Sequence, residues 1–273
     1  MSKTLAQLQD EIRQVVSTVR ALGVKADAGT NNFDNRTEVY VASSSSYDLL
    51  KNSDISLLQD LEIVEVDSLA TPAVSNFYRG LYLGGNGCTS GFTVLANSNN
   101  ARGMLTAGHC GNTAYWGSGT DTVNLNFVSQ RYDGAFDVQW HKPASNADKL
   151  KPWTKDDTCS DTTPCYRVIT GVVNRPEQPI GAWVCGYGNT TDFRCGYIRS
   201  KTFSPGYVAN ATETFVLVGR DRVDFSEPGD SGGPWYKGGS AFGIMSGQRG
   251  HEAIYMAINY IDLSLDVRVA TGL

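Results

Sequence analysis

The chain carries the stretch Glu-Pro-Gly-Asp-Ser-Gly-Gly-Pro at residues 227–234, which places an acid beside a hydroxyl within a run of glycines. Gly, Pro, Asp and Ser are the residues that turns use, so one interpretation is a surface turn. The alternative is that Ser231 is a nucleophile and that the glycines leave room for a substrate carbonyl beside backbone N–H groups. A serine hydroxyl is a weak nucleophile at neutral pH, so the alternative requires a base elsewhere in the chain.

Histidine is the candidate base, and the chain contains His109, His141 and His251. His109 ends the stretch Leu-Thr-Ala-Gly-His that precedes Cys110, after an apolar predicted strand. A disulfide at Cys110 would brace the backbone beside the imidazole. His141 and His251 lie in more polar sequence, and we expect both at the surface.

Composition narrows the classes of partner. The chain has 273 residues, is 41% hydrophobic, contains 29 glycines and carries a formal charge of −5. It has no Lys/Arg-rich block and no apolar run of the roughly 20 residues that span a bilayer, so we expect neither nucleic acid nor membrane as a partner. Its first residues lack the apolar core of a signal peptide. If the protein is secreted, we expect the signal to lie outside this sequence.

Six cysteines without CxxC spacing favour disulfides over a metal site. Six cysteines allow fifteen pairings. Proximity in the sequence favours Cys159 with Cys165 and Cys185 with Cys195, which leaves Cys88 for Cys110. Disulfides imply an oxidising compartment, so we expect a secreted, extracellular protein. Free buried thiols are the alternative.

Residues 1–70 differ in pattern from the rest. Apolar residues recur at helical spacing up to Leu22, with Thr4 and Gln7 as a predicted capping pair. The alternating runs 37–43 and 61–67 predict strands, and Leu49–Leu61 predicts a second helix. The predicted order is α-β-α-β, which describes a small α/β subdomain.

From about Tyr78 onward, short apolar or alternating runs are separated by Gly, Asn, Ser and Asp turns. Many short strands at such spacing indicate a β-sandwich or a β-barrel. We therefore expect a mainly β domain over residues 80–273, preceded by a linker or processing segment at 71–79.

The motif Leu-Thr-Ala-Gly-His-Cys at 105–110 and the motif Glu-Pro-Gly-Asp-Ser-Gly-Gly-Pro at 227–234 together resemble the trypsin/chymotrypsin superfamily of serine proteases. Residues 88–94 (CTSGFTV), residues 184–196 (VCGYGNTTDFRCG) and the Glu-Pro before the Gly-Asp-Ser are most similar to its streptogrisin and alpha-lytic branch. The resemblance covers residues 78–262. It implies two antiparallel six-stranded β-barrels with the active site in the cleft between them. It also implies a monomeric endopeptidase acting on protein or peptide substrates, with no metal and no cofactor.

The resemblance implies roles for individual residues. Ser231 attacks the scissile carbonyl, His109 accepts its proton, and an aspartate at the start of an apolar strand orients His109. Asp137, in Phe-Asp-Val-Gln-Trp (136–140), fits that setting, and Asp133 is the alternative. The backbone N–H groups of Gly229 and Ser231 form the oxyanion hole.

The resemblance also implies where substrate binds. An extended peptide would pair with Ser246, Gly247 and Gln248 by β-augmentation. The primary pocket would be walled by residues near Phe225, Ser226, Met245–Gln248 and Ile254–Tyr255, and without a clear acid at its base it would take a large apolar residue.

Asp230 requires a partner, because a buried unpaired carboxylate is costly. The related proteases use a basic residue at the position of Gly186, or a new N-terminus. Arg194 and a processed N-terminus are both candidates here.

The resemblance suggests that residues 1–70 are a pro-region removed by cleavage within 68–80. A permanently attached accessory domain is the alternative. A catalytically silent binding module and an uncleaved zymogen are the competing functions. An esterase with the Gly-x-Ser-x-Gly elbow is disfavoured, because His109 precedes the serine.

Overall fold

The computed structural model describes residues 3–31, 34–53, 61–67, 69–72, 82–116, 122–144, 150–156, 166–220 and 223–272. The structural statements below concern these residues. Two predicted features lie outside them: the Cys159–Cys165 disulfide and most of the linker at 71–79. Among the described residues, no helix combines the length and the apolar character that crossing a membrane requires.

The N-terminal subdomain contains two helices and a three-stranded sheet: α1 (Leu5–Ala21), β1 (Asp27–Asn31), β2 (Arg36–Val41), α2 (Ser44–Lys51) and β3 (Leu61–Glu65). The sheet has the order β1-β2-β3, with β1 antiparallel and β3 parallel to β2. Thr4 begins α1 in a capping box with Gln7, as predicted. Helix α1 buries Ile12 and Val15 against Val39 and Val41 of the sheet.

The predicted α-β-α-β order was wrong because it lacked β1. The sequence of β1, Asp-Ala-Gly-Thr-Asn, has a single β-branched residue and no apolar alternation, and its pairing with β2 over the whole strand gives it its conformation. The second helix begins at Ser44, before the predicted Leu49, and ends at Lys51; residues 54–60 of the predicted helix Leu49–Leu61 lie outside the described residues. Its N-cap is Ser43, whose side chain accepts a hydrogen bond from the backbone N–H of Ser46.

A short strand, β4 (Thr71–Pro72), follows the subdomain, and the next strands belong to a first large sheet and a small ribbon. They are β5 (Tyr82–Gly84), β6 (Cys88–Thr89), β7 (Thr93–Ala96), β8 (Arg102–Thr106), β9 (Ala114–Trp116), β10 (Val123–Asp133), β11 (Phe136–Pro143), β12 (Trp153–Lys155) and β13 (Tyr166–Val168).

The C-terminal part supplies a second large sheet and one further helix. Its elements are β14 (Gly171–Val172), β15 (Trp183–Gly188), β16 (Asp192–Phe203), β17 (Phe215–Gly219), β18 (Pro234–Lys237), β19 (Ser240–Arg249), β20 (Glu252–Ala257), α3 (Tyr260–Leu265) and β21 (Val267–Val269). A single 3₁₀ turn, Arg175–Glu177, lies between β14 and β15.

The predicted mainly β, two-barrel fold is confirmed. In the second sheet, β15 to β20 close into a six-stranded barrel, because β19 pairs with both β18 and β20. The first sheet curls in the order β21-β7-β8-β11-β10-β9-β5-β6 without closing among the described strands. One apolar core spans both sheets and includes Val94, Leu105, Phe215 and Ile244.

The subdomain packs on the second barrel where β16 ends. Ala28 of β1 forms an antiparallel bridge with Ser204, and the hydroxyl of Thr30 bonds those of Ser200 and Thr202. Strand β4 then pairs with β19, with Pro72 opposite Gly247 and Thr71 opposite Gln248. The subdomain is therefore joined to the barrel by backbone pairing as well as by side chains.

Candidate active site

Three side chains from separate elements meet between the two barrels. His109 Nε2 lies 2.7 Å from Ser231 Oγ, and His109 Nδ1 lies 2.9 Å from Asp137 Oδ2. The backbone N–H of His109 donates to Asp137 Oδ1 at 2.9 Å. Asp137 and Ser231 are fully buried. The arrangement lets the imidazole take a proton from the hydroxyl while a carboxylate holds its other nitrogen.

The turn that carries His109 is held from two sides. A disulfide joins Cys88 to Cys110, the residue after His109. The amide of Gln139 donates to the carbonyls of Ala107 and Cys110, at 2.9 and 2.8 Å. These contacts fix the backbone on both sides of the imidazole, so its ring is oriented before any substrate binds.

The expectation that His141 lies at the surface was wrong. His141 is 1% exposed, and its Nε2 donates to Gln139 Oε1 at 3.0 Å. Burial lowers the pKa of His141 from its usual value. The residue alternates inward on β11 beside Gln139, and its sequence neighbours gave no sign of this. His251 is exposed and contacts Asp224, in line with the prediction for that residue.

The geometry separates the two candidate aspartates. Asp137 is the second residue of β11, and its carboxylate contacts His109. Asp133 lies at the hairpin before that strand, is about half exposed, and pairs with Arg131 at 2.9 Å. The structure therefore brings Asp137, rather than Asp133, to the histidine.

The glycine-rich stretch forms a close-packed turn. Gly229 and Gly232 have φ angles of +109° and +87°, which disfavour residues with a side chain. A Cβ on Gly232 would lie 2.4 Å from the carbonyl oxygen of Thr89. Thr89 in turn donates from its hydroxyl to the Gly229 carbonyl and from its N–H to the Ser231 carbonyl, both at 2.7 Å. Two hydrogen bonds from Thr89 of the first barrel thus hold the turn that carries Ser231.

Asp230 is fully buried, and its partners among the described residues are hydrogen-bond donors without a cation. Its Oδ1 accepts from the N–H groups of Thr190 and Thr191, at 2.7 and 3.1 Å. Its Oδ2 accepts from the Thr191 hydroxyl and the Glu227 N–H, both at 2.8 Å. Burial raises the pKa of Asp230 from its usual value, and these four donors oppose that rise.

The side-chain packing explains why glycine stands at position 186. A Cβ there would lie 2.7 Å from the ring of Trp235, so the packing of this ring leaves no room for a side chain at position 186. Arg194 directs its guanidinium to the carbonyl of Phe193. The expected partnership between Arg194 and Asp230 is absent from the contacts of the described residues. A second disulfide, Cys185–Cys195, ties the same hairpin together.

The predicted substrate strand is already paired. Gly247 and Gln248 lie opposite Pro72 and Thr71 of β4, which runs antiparallel to them. Ser246 is the next residue toward the triad, and its hydroxyl donates to Asp137 Oδ2. Of the three residues predicted to bind substrate, Gly247 and Gln248 thus pair with β4, and the hydroxyl of Ser246 donates to the carboxylate of Asp137.

The residues assigned to the primary pocket pack against one another. The ring of Trp235 stacks on Phe225 at 6.5 Å and on Tyr255 at 5.8 Å, and all three side chains are buried. Ser226 is 3% exposed, and its hydroxyl has no hydrogen-bond partner among the described residues. Trp235 was missed in the sequence, where nothing marks it as different from any other apolar strand residue.

A second missed residue is Tyr207, in the loop between β16 and β17. Its hydroxyl lies 2.8 Å from Ser246 Oγ. No sequence motif surrounds it. One group of potential metal ligands occurs among the described residues, namely Cys88, His109 and Cys110, but the two sulfurs are bonded to each other.

Comparisons with known proteins show which family this chain resembles. The sequence model of the family described as Trypsin matches residues 82–264. Streptogrisin-C from Streptomyces griseus is 33% identical over 184 residues, which cover 62% of this chain and 34% of that protein. This chain therefore spans about a third of the length of that relative.

Two solved structures are also similar. Nocardiopsis protease is 26% identical with a TM-score of 0.55, over 70% of this chain and 97% of that one. Thermobifida fusca protease A is 27% identical with a TM-score of 0.54, over 75% of this chain and all of that one.

Proposed function

The chain belongs to the trypsin family of serine proteases, and on that premise we propose that it is a secreted endopeptidase that hydrolyses peptide bonds through an acyl-enzyme. The observation that carries the proposal is the continuous contact from Ser231 through His109 to Asp137. The two disulfides support export to an oxidising compartment.

In the proposed reaction, Ser231 Oγ attacks the scissile carbonyl while its proton passes to His109 Nε2. The negative oxygen that forms is stabilised by the N–H groups of Gly229 and Ser231. His109 then protonates the leaving amine, which departs and leaves an ester on Ser231. Water loses a proton to His109, attacks the ester, and releases the acid and the free serine.

We further propose that residues 1–70 are a pro-region and that the chain cuts itself close to β4. The register supports this, because an antiparallel strand that lies opposite Gln248 and then Gly247 runs toward Ser246 and the triad. Pro72 is the last described residue of β4. The expected cut lies close to it, within residues 68–80.

Occupation of the substrate strand by β4 also supports the second candidate, an uncleaved zymogen. An intact chain would then fold with its triad assembled but with peptide access blocked. A permanently silent binding module is a third possibility, although the contacts of the triad offer it no support.

Intact mass before and after treatment with a fluorophosphonate tests these alternatives. The proposal expects a single adduct on a chain that has been cut within residues 68–80, and no adduct and no trimming in the Ser231→Ala variant. An adduct on the full-length chain would identify a zymogen with a working triad. A trimmed, folded chain that takes no adduct would contradict the proposed catalysis.

A further inference from the structure

We propose that Tyr207 is a positioning residue of the triad: it holds the Ser246 hydroxyl in the orientation that donates to Asp137. The inference rests on the proposed catalytic roles of Ser231, His109 and Asp137. It extends the triad by two hydroxyl groups and links it to the loop that the N-terminal subdomain contacts.

Donor counting sets the direction of the chain of hydrogen bonds. An ionised carboxylate only accepts, so Ser246 uses its single proton on Asp137 Oδ2. Ser246 can then only accept in its 2.8 Å contact with Tyr207, and the phenol must be the donor. The order is Tyr207 O–H to Ser246 O–H to Asp137, and each bond strengthens the next in a buried site.

Tyr207 stays a donor over the working pH range. Burial of its hydroxyl raises the pKa of Tyr207 above its usual value, and the negative charge of Asp137 raises it further. Tyr132 and Asp27 are the other titratable groups that face it, and both act in the same direction. The phenol is thus neutral wherever His109 would act as a base.

The loop that carries Tyr207 is fixed at several points. The hydroxyl of Tyr132, from the first barrel, donates to the Tyr207 carbonyl at 2.9 Å. The N–H of the preceding residue, Gly206, donates to Asp27 of β1 at 2.8 Å. Farther along the loop, the guanidinium of Arg20 donates to the Ala211 carbonyl at 3.2 Å. In a chain that retains residues 1–70, both barrels and the N-terminal subdomain therefore set where the phenol lies. A chain cut after the subdomain keeps the contacts with Tyr132 and Ser246.

The orientation of the Tyr207 hydroxyl predicts the direction in which its removal changes the charge on His109. The positive end of the Tyr207 O–H dipole points along the chain toward Asp137, so it stabilises the carboxylate and opposes a positive charge on His109. Removing that hydroxyl should therefore favour the imidazolium, and the pH at which His109 becomes available as a base should rise. Ser246 would also lose the contact that selects its rotamer.

The test compares Tyr207→Phe with Tyr236→Phe in the purified protein, with matched N-termini checked by intact mass. Tyr236 is a suitable control because its hydroxyl also donates a hydrogen bond, to the Lys155 carbonyl at 2.8 Å, and the contacts given for the described residues do not join it to His109, Asp137 or Ser231. The rate of fluorophosphonate labelling is measured for each protein from pH 5 to pH 9. Thermal unfolding checks that both variants are folded.

We expect Tyr207→Phe to label about fivefold more slowly at the plateau, as for the loss of one hydrogen bond, and its half-maximal rate to shift to higher pH. Tyr236→Phe should keep the wild-type pH midpoint. An unchanged midpoint in Tyr207→Phe, with or without a slower rate, would overturn the inference and leave a packing role. Failure of the wild-type protein to label would instead contradict the proposed function.

Discussion

Replacing Asp230 by asparagine tests how the turn around Ser231 is held. The carboxylate accepts four hydrogen bonds, two on each oxygen, from Thr190, Thr191 and Glu227. Asparagine keeps one acceptor oxygen and turns its NH₂ group toward the other two donors. The Thr191 hydroxyl can rotate and accept from the NH₂, whereas the Glu227 N–H cannot, so one buried donor loses its partner.

The expected cost follows from two opposing effects. An unpartnered buried N–H and a lost bond to a charged acceptor cost about 1–3 kcal/mol each. Removing the charge recovers part of the desolvation that raises the pKa of Asp230. We therefore expect a net loss of about 1–3 kcal/mol in the free energy of unfolding. Breaking a buried ion pair would cost more, about 3–5 kcal/mol.

The effect on reactivity should be larger than the effect on stability. The N–H groups of Gly229 and Ser231 flank Asp230, and displacement of one oxyanion-hole donor lowers rates by about a hundredfold or more. Urea denaturation and the fluorophosphonate labelling rate provide the two readouts.

The control for this experiment is Asp133→Asn, since Asp133 is about half exposed and pairs with Arg131. We expect the control to change stability by less than about 1 kcal/mol and to label at the wild-type rate. A stability loss of about 3–5 kcal/mol, as for a broken buried ion pair, would point to a cation on Asp230. Wild-type labelling by Asp230→Asn would refute the link between this carboxylate and the reactive turn.

Two further predictions concern buried positions. Burial lowers the pKa of His141, so the unfolded chain binds the proton more tightly than the folded chain. The free energy of unfolding should therefore fall as the pH drops below about 6.5. Urea titrations at pH 7.5 and pH 5 should show a smaller fall for His141→Gln than for the wild-type protein, and equal falls would argue against this role of His141. Gly186→Ala should destabilise the chain by about 1–3 kcal/mol, because its Cβ would lie 2.7 Å from Trp235. Gly171→Ala, whose Cβ would have nothing within 4 Å, should leave the melting temperature nearly unchanged. Equal melting temperatures for the two variants would contradict the steric explanation.

Local features of the N-terminal subdomain were predictable where they depend on near neighbours. The capping pair Thr4 and Gln7 and the apolar face of α1 follow from spacings of three and four residues. Strand β1 was not predictable, because its conformation comes from pairing with β2 and from docking on Ser204. The burial of His141 likewise depends on Gln139 and on the first sheet as a whole.

The sequence by itself determined the family and the residues most open to catalytic interpretation, because the motifs around His109 and Ser231 are contiguous and specific. It left the choice between Asp133 and Asp137 to be argued from context. Only the tertiary structure decided which aspartate meets the imidazole, how Asp230 is held, and that Tyr207 reaches Ser246. Those contacts join residues that are far apart in the chain, and their distances depend on how the two barrels and the subdomain pack.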